Sequence, residues 1–173
     1  MKSLQCCVNG QKLAMVDSDN DSIKDCCAFP TVTYADLVAC TGEKKQNQTV
    51  AHAYDGCSLP DVLAGLVGDK ENPCGKIDTS FYTCCGNPAL PVPSHDNMYQ
   101  TCGYEKASAD VELLLCMRDV CDNASPANPD CGYAFEADCR DMADYYYIGL
   151  VLGGESAYET RQLQYCLCCM TED

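Results

Sequence analysis

Apolar residues recur at helical spacing from about residue 60 onward, and strand-like alternation is sparse throughout. Between Pro60 and Val67, the residues Val62, Leu63, Leu66 and Val67 fall on one side of a short helix. A second helix is predicted between Ser94 and Gly103. Ser94 can accept from the unpaired N–H groups of the first turn, and Gly103 tolerates the left-handed conformation that closes a helix. A loop broken by Pro88, Pro91 and Pro93 precedes it. Asp110 to Cys121 forms the next helix, with Val111, Leu114, Leu115 and Met117 as its expected buried stripe. The longest helix runs from about Phe135 to Leu152: Cys139, Met142, Tyr146, Gly149 and Leu150 share one face, and Gly153-Gly154 ends it. The tail from Tyr158 to Cys169 carries cysteines that must fold back onto the core. To about Tyr54 there is no sustained periodicity. The pattern therefore predicts a mainly α, disulfide-rich helical domain over 55–173 and a cysteine-rich, loop-dominated extension over 1–54.

Cysteine usage sharpens this picture. Seventeen cysteines in 173 residues signal a disulfide scaffold. Cytosolic zinc proteins space cysteines as paired C-x-x-C units, whereas here only Cys166 to Cys169 has that spacing and just two histidines are present. Adjacent pairs recur instead, at Cys6-Cys7, Cys26-Cys27, Cys84-Cys85 and Cys168-Cys169, each able to tie two segments to one point. The odd total leaves one thiol free or available to a disulfide-linked partner. Disulfide chemistry implies secretion, although Met1-Lys2-Ser3-Leu4 runs directly into Cys6-Cys7 without the apolar core of a signal peptide; the chain is read as a mature form. The sequons Asn47-Gln48-Thr49 and Asn123-Ala124-Ser125 agree with a secreted glycoprotein.

Charge narrows the partners. Eleven basic against 26 acidic residues give a net charge of −15, which opposes nucleic acid and anionic bilayers. No stretch reaches the roughly 20 apolar residues of a membrane helix. The acidic excess favours calcium, a hard cation that takes oxygen ligands. One segment has its spacing: Asp17, Asp19, Asp21 and Asp25 occupy relative positions 1, 3, 5 and 9, with the Ile23 carbonyl at position 7. Ser22 and Ala28 stand where an EF-hand would place glycine and glutamate, so the run is closer to the D-x-D-x-D-x-x-x-D loops of thrombospondin-type and integrin-type sites. Four carboxylates in nine residues repel one another without a cation.

The chemistry-bearing stretch is Ser94-His95-Asp96-Asn97-Met98-Tyr99. Neighbours on a helix do not face each other, so His95 and Asp96 need different partners. An imidazole facing one way and a carboxylate facing another suit a water-activating base beside a metal ion. No G-x-S-x-G elbow supports Ser-His-Asp hydrolysis. His52 stands alone in a polar segment and reads as an exposed loop residue.

Taken in order, these parts resemble secreted phospholipase A2, and within it the group XII branch. Asp55-Gly56-Cys57-Ser58 precedes Cys84-Cys85, and His95-Asp96-x-x-Tyr99-x-x-Cys102-Gly103 follows. Cys116 and Cys121 lie on the next helix, Cys139 opens another, and Cys166-Leu167-Cys168 ends the run. The match covers about residues 55–173. The departures are a link lengthened by Gly86 to Ser94, and Met98, Ala109 and Gly154 where the family carries cysteine.

The resemblance implies calcium-dependent hydrolysis of the sn-2 ester of glycerophospholipids, with His95 as the base toward water. It implies a carboxylate on the antiparallel helix, Asp141 or Asp144, to orient the histidine, although Arg140 follows Cys139 where the family places that aspartate. It implies Tyr99 as a hydrogen-bond partner of that carboxylate. Calcium would be held by Asp96 and by backbone carbonyls near Tyr54, Gly56 and Ser58. The implied partner is a phospholipid or lipid aggregate, zwitterionic given the charge. The alternative is a non-catalytic phospholipase A2-like extracellular protein with a structural, assembly or lipid-binding role. The lengthened loop, the arginine after Cys139 and the added acidic loop favour that alternative; retention of His95 and Asp96 favours the enzyme.

Overall fold

A computed structural model of the chain describes residues 5–8, 11–53, 81–85, 94–123 and 132–170. More than half of these residues are helical, and five short strands form one antiparallel sheet. The chain divides into two compact units. One comprises residues 1–52, 99–104 and 157–173, the other 53–98 and 105–156. The tail, residues 157–173, falls in the same unit as the N-terminal third.

The first unit holds the sheet, in the order β1 (Gln5–Val8), β2 (Gln11–Val16), β3 (Cys26–Phe29), β5 (Cys166–Met170), β4 (Glu43–Gln46). Four of the five strands come from the segment expected to be loop-dominated, which corrects that expectation. These strands are only four to six residues long. In β1, β3 and β5 the apolar content is largely cysteine, which buries as a small hydrophobe without giving the β-branched alternation that marks a strand. Cys6 pairs with Leu13 across β1–β2, and Ala28 with Cys169 across β3–β5. Cys6, Leu13 and Cys27 form the buried cluster, flanked by Met15 and Met170. The tail folds back as its cysteines require. Cys26 bonds Cys169, Cys40 bonds Cys168 and Cys102 bonds Cys166, while Cys27 bonds Cys6. Adjacent cysteines thus serve separate partners in both Cys26-Cys27 and Cys168-Cys169. Between the strands lies α1 (Tyr34–Val38), closed by a reciprocal capping box of Thr33 and Asp36.

The second unit is built on α4 (Lys106–Asn123) packed against α5 (Gly132–Gly153), with α2 (Tyr82–Cys85) beside them. Its core joins Phe81, Cys84, Cys85, Leu113, Met117, Cys121, Cys139, Ala143 and Tyr146. Cys84–Cys116 and Cys121–Cys139 staple these helices together. On α5 the predicted face is observed, with Cys139 and Tyr146 buried and Met142 and Leu150 packed against the core. On α4 half of the predicted stripe is observed, with Met117 buried and Leu114 packed against the core. Val111 and Leu115 are exposed, and the buried positions are Ala109, Asp110, Leu113, Met117 and Cys121. The run Val111 to Leu115 offers apolar residues to more than one face, so periodicity alone does not set the phase. The Cys121–Cys139 bridge and the partners of Asp110 do.

The helix carrying the histidine, α3 (His95–Gln100), starts and stops as its sequence requires. The Ser94 carbonyl accepts from the Met98 N–H at 3.0 Å, and its hydroxyl lies 3.4 Å from the Asn97 N–H. Past its last turn Gly103 has φ +76°, the left-handed value that suits glycine. In the first unit, two glutamines serve the chain at this helix end, where carbonyls lack helical partners. Gln162 of α6 (Glu155–Tyr165) is buried and donates to the carbonyls of Tyr99 and Thr101, each at 2.9 Å, while accepting from Gly103 N–H at 3.0 Å. Gln46 donates to the Gln100 carbonyl at 2.8 Å and accepts from the Cys102 N–H at 2.7 Å.

Candidate active site

His95 is buried near the start of α3, 7% exposed. Its Nε2 lies 3.0 Å from Oδ1 of Asp110, a residue 2% exposed on the first turns of α4. The second oxygen of Asp110 is 2.6 Å from Nζ of Lys106, one turn earlier on the same helix. That ammonium also donates to the carbonyl of Leu150, near the end of α5, at 2.9 Å. One carboxylate therefore holds an imidazole on one oxygen and an ammonium on the other. A carboxylate this deep is tolerable as an anion only when paired and hydrogen-bonded, and here both oxygens are.

The carboxylate that meets His95 is thus Asp110, and neither Asp141 nor Asp144 occupies that place. Asp144 pairs with Arg118 at 2.7 Å, both about half exposed, and Asp141 is exposed. The reason is geometric. The buried face of α5 is Cys139, Ala143 and Tyr146, and residues 141 and 144 lie off it. Arg140 pairs outward with Asp122 at 2.5 Å and with Glu136 at 3.3 Å. A signal for Asp110 was present in the sequence. Ala109 is one of the positions where the resembled family carries cysteine, and the catalytic aspartate of that family directly follows a cysteine. With alanine in place of the cysteine, the order of residues points to Asp110 only if the substitution is allowed for.

Asp96 is half-buried, one residue and about 100° of helix rotation from His95. Tyr99 is buried, and its ring meets that of Tyr158 edge-on at 5.3 Å. Tyr54, Gly56 and Ser58 lie outside the described residues, as does the predicted helix at residues 60–67. His52 is exposed as expected, with its ring stacked on Tyr165.

The acidic loop resolves into two parts. One carboxylate oxygen each from Asp17, Asp19 and Asp21 lie within 4.8 Å of one another. Asn20 and Ser22 adopt φ of 63° and 72°, which turns the backbone so that Ser22 N–H donates to Asp17 at 2.8 Å and Ile23 N–H to Asp21 at 2.7 Å. Oδ1 of Asp17 is buried and has no hydrogen-bond partner among the described residues. Asp19's carboxyl is pushed up, first by the desolvation of the crowded loop and then by Asp21, Asp25 and Asp17, against the pull of the Asp21 N–H. Asp25 is turned elsewhere. It accepts from the Ser18 hydroxyl at 2.7 Å, the Ser18 N–H at 2.8 Å and Lys45 at 2.9 Å, and these partners hold its carboxyl well below the usual range. Four expected carboxylates are therefore three, with the fourth closing the loop at its base.

The chain matches no protein-family model, no curated protein and no solved structure. Among the described residues no helix is long and apolar enough to cross a membrane.

Proposed function

We propose that this chain is a secreted, calcium-dependent hydrolase of the phospholipase A2 kind, acting on the sn-2 ester of zwitterionic glycerophospholipids. The observation that supports this reading most directly is the buried His95–Asp110 pair. A carboxylate at Nε2 fixes the ring's proton there and leaves the basic lone pair on Nδ1. Nδ1 then takes a proton from water, and the resulting nucleophile attacks the ester carbonyl. Asp110 stabilises the imidazolium that forms, as an orienting carboxylate does beside any histidine base. The proton later passes from Nδ1 to the departing alkoxide, which returns the ring to its starting state.

The donors assigned to calcium, the Asp96 carboxylate and the carbonyls of Tyr54, Gly56 and Ser58, are all hard oxygens, which suits that ion. Bound calcium would supply a Lewis acid for the ester carbonyl. In the acidic loop, Asp17, Asp19 and Asp21 with the Ile23 carbonyl are a second oxygen donor set, and the buried Oδ1 of Asp17, unpartnered among the described residues, fits a cation there.

Fatty-acid release from phosphatidylcholine vesicles, measured with calcium and with chelator, tests the proposal. Calcium-dependent release of the sn-2 chain is expected. Calcium binding by calorimetry without any release would favour the non-catalytic alternative.

A further inference from the structure

The His95–Asp110 pair has a third member that the resemblance does not supply. Lys106 is the first residue of α4, where the positive end of the helix dipole disfavours a cation. Its pairing with Asp110 also runs in the less favourable direction for a helical i, i+4 ion pair, base before acid. Neither local effect places a lysine there. Its surroundings do: the side chain is only 13% exposed, with Nζ 2.6 Å from Oδ2 of Asp110 and 2.9 Å from the Leu150 carbonyl. Leu150 lies near the end of α5, where carbonyl dipoles favour a cation.

We propose that Lys106 is a positioning residue of this site: its ammonium pins Oδ2 of Asp110, so that the carboxylate presents Oδ1 to Nε2 of His95. The proposal rests on the reading of His95 as the base. The two oxygens of a carboxylate are equivalent until one is claimed. With Lys106 on Oδ2, rotation about the Asp110 side chain is stopped and Oδ1 is held toward Nε2 of the ring. The Leu150 carbonyl holds the ammonium from the far side, so three helices fix one contact. Without the ammonium, the Asp110 side chain can rotate away from Nε2, and the ring loses the contact that fixes its orientation and its proton.

Two readouts test this. Wild type, Lys106→Met and Lys106→Gln are compared for kcat and KM on phosphatidylcholine vesicles with calcium, and for the His95 tautomer by nitrogen-15 NMR. The spectra are taken well above the pH range in which imidazoles ordinarily charge, with His52→Gln assigning the only other ring. Lys106→Gln keeps a donor for the Leu150 carbonyl and serves if the methionine variant does not fold. The expected result is a fall in kcat of about 10- to 100-fold, the range for lost supporting contacts, with KM nearly unchanged. The His95 proton should shift from Nε2 alone to a mixture of both nitrogens. A folded variant with wild-type kcat and an unchanged tautomer overturns the role of Lys106 while leaving the esterase reading intact. Wild type without release overturns the esterase reading, and the tautomer comparison then still decides whether Lys106 orients the pair. A drop in melting temperature with an unchanged tautomer would mark a purely structural ion pair and overturn the proposal.

Discussion

Replacing Asp110 by asparagine should disable the site through a donor–acceptor mismatch that can be worked out from its contacts with His95 and Lys106. Lys106 is donor-only, so the single carbonyl oxygen of the amide must face Nζ at the position now 2.6 Å away. The amide nitrogen is then left facing Nε2 of His95 at the 3.0 Å contact. An amide nitrogen only donates, so Nε2 must accept and the ring proton moves to Nδ1. The base then has its lone pair on the wrong nitrogen. A wrong tautomer at a histidine base lowers kcat on the order of 10⁴-fold. KM should barely move, because Asp110 is 2% exposed and does not meet lipid. Stability should fall as well. Lys106 loses its counter-ion at 13% exposure, and breaking such a buried pair costs about 3–5 kcal/mol, near the lower figure because the amide still accepts. The assay is steady-state sn-2 release, corrected for the folded fraction by near-ultraviolet circular dichroism. An Asp110→Asn enzyme that folds and retains kcat within about tenfold of wild type would refute the tautomer argument, since general acid–base catalysis alone contributes at least about 10²-fold.

Three further outcomes follow from the same contacts. Gln162→Ala removes three hydrogen bonds to the chain at the end of α3; at about 0.5–1.5 kcal/mol each, denaturant unfolding should show a loss of about 2–4 kcal/mol. Cys40→Ala with Cys168→Ala removes a bridge spanning 128 residues, but Cys26–Cys169 already ties those regions, so only the chain between residues 26 and 40 is released. The chain-entropy account then gives about 3 kcal/mol rather than about 5, and a loss at the larger value would contradict the nested pairing. Asp25's carboxyl is held below its ordinary 3.8, first by the Ser18 hydroxyl, then by the Ser18 N–H and by Lys45. Its stabilisation is present above about pH 4 and is lost as pH falls through the folded value. Stability measured down that range should drop more steeply for wild type than for Asp25→Asn.

Much of the helical unit was legible in the sequence because helices announce their ends. Ser94 and Gly103 bracket α3, and the face of α5 follows from Cys139, Tyr146 and Leu150 at helical spacing. The phase of α4 was legible only in Leu114 and Met117, because Val111 to Leu115 is apolar on more than one face and a buried Asp110 contradicts ordinary patterning. An aspartate is read as surface until its partners are known, and those partners are 15 residues back at His95 and one turn back at Lys106. The sheet was hidden for a different reason. Strands such as Cys26–Phe29 and Cys166–Met170 are short and cysteine-rich, and they pair across more than a hundred residues, a distance that local periodicity cannot express. In the acidic loop the spacing of carboxylates was visible, but not that Asp25 would be diverted to Ser18 and Lys45 rather than join Asp17, Asp19 and Asp21.

The central claim, that His95 is a base working on the sn-2 ester, is tested most directly by comparing wild type with His95→Gln. Phosphatidylcholine vesicles carrying distinguishable chains at sn-1 and sn-2 report both rate and position in one assay with calcium. The account predicts release of the sn-2 chain alone by wild type and a loss of at least about 10²-fold in the variant, with calcium affinity and fold preserved. Equal release by both proteins, or none by wild type, would contradict it.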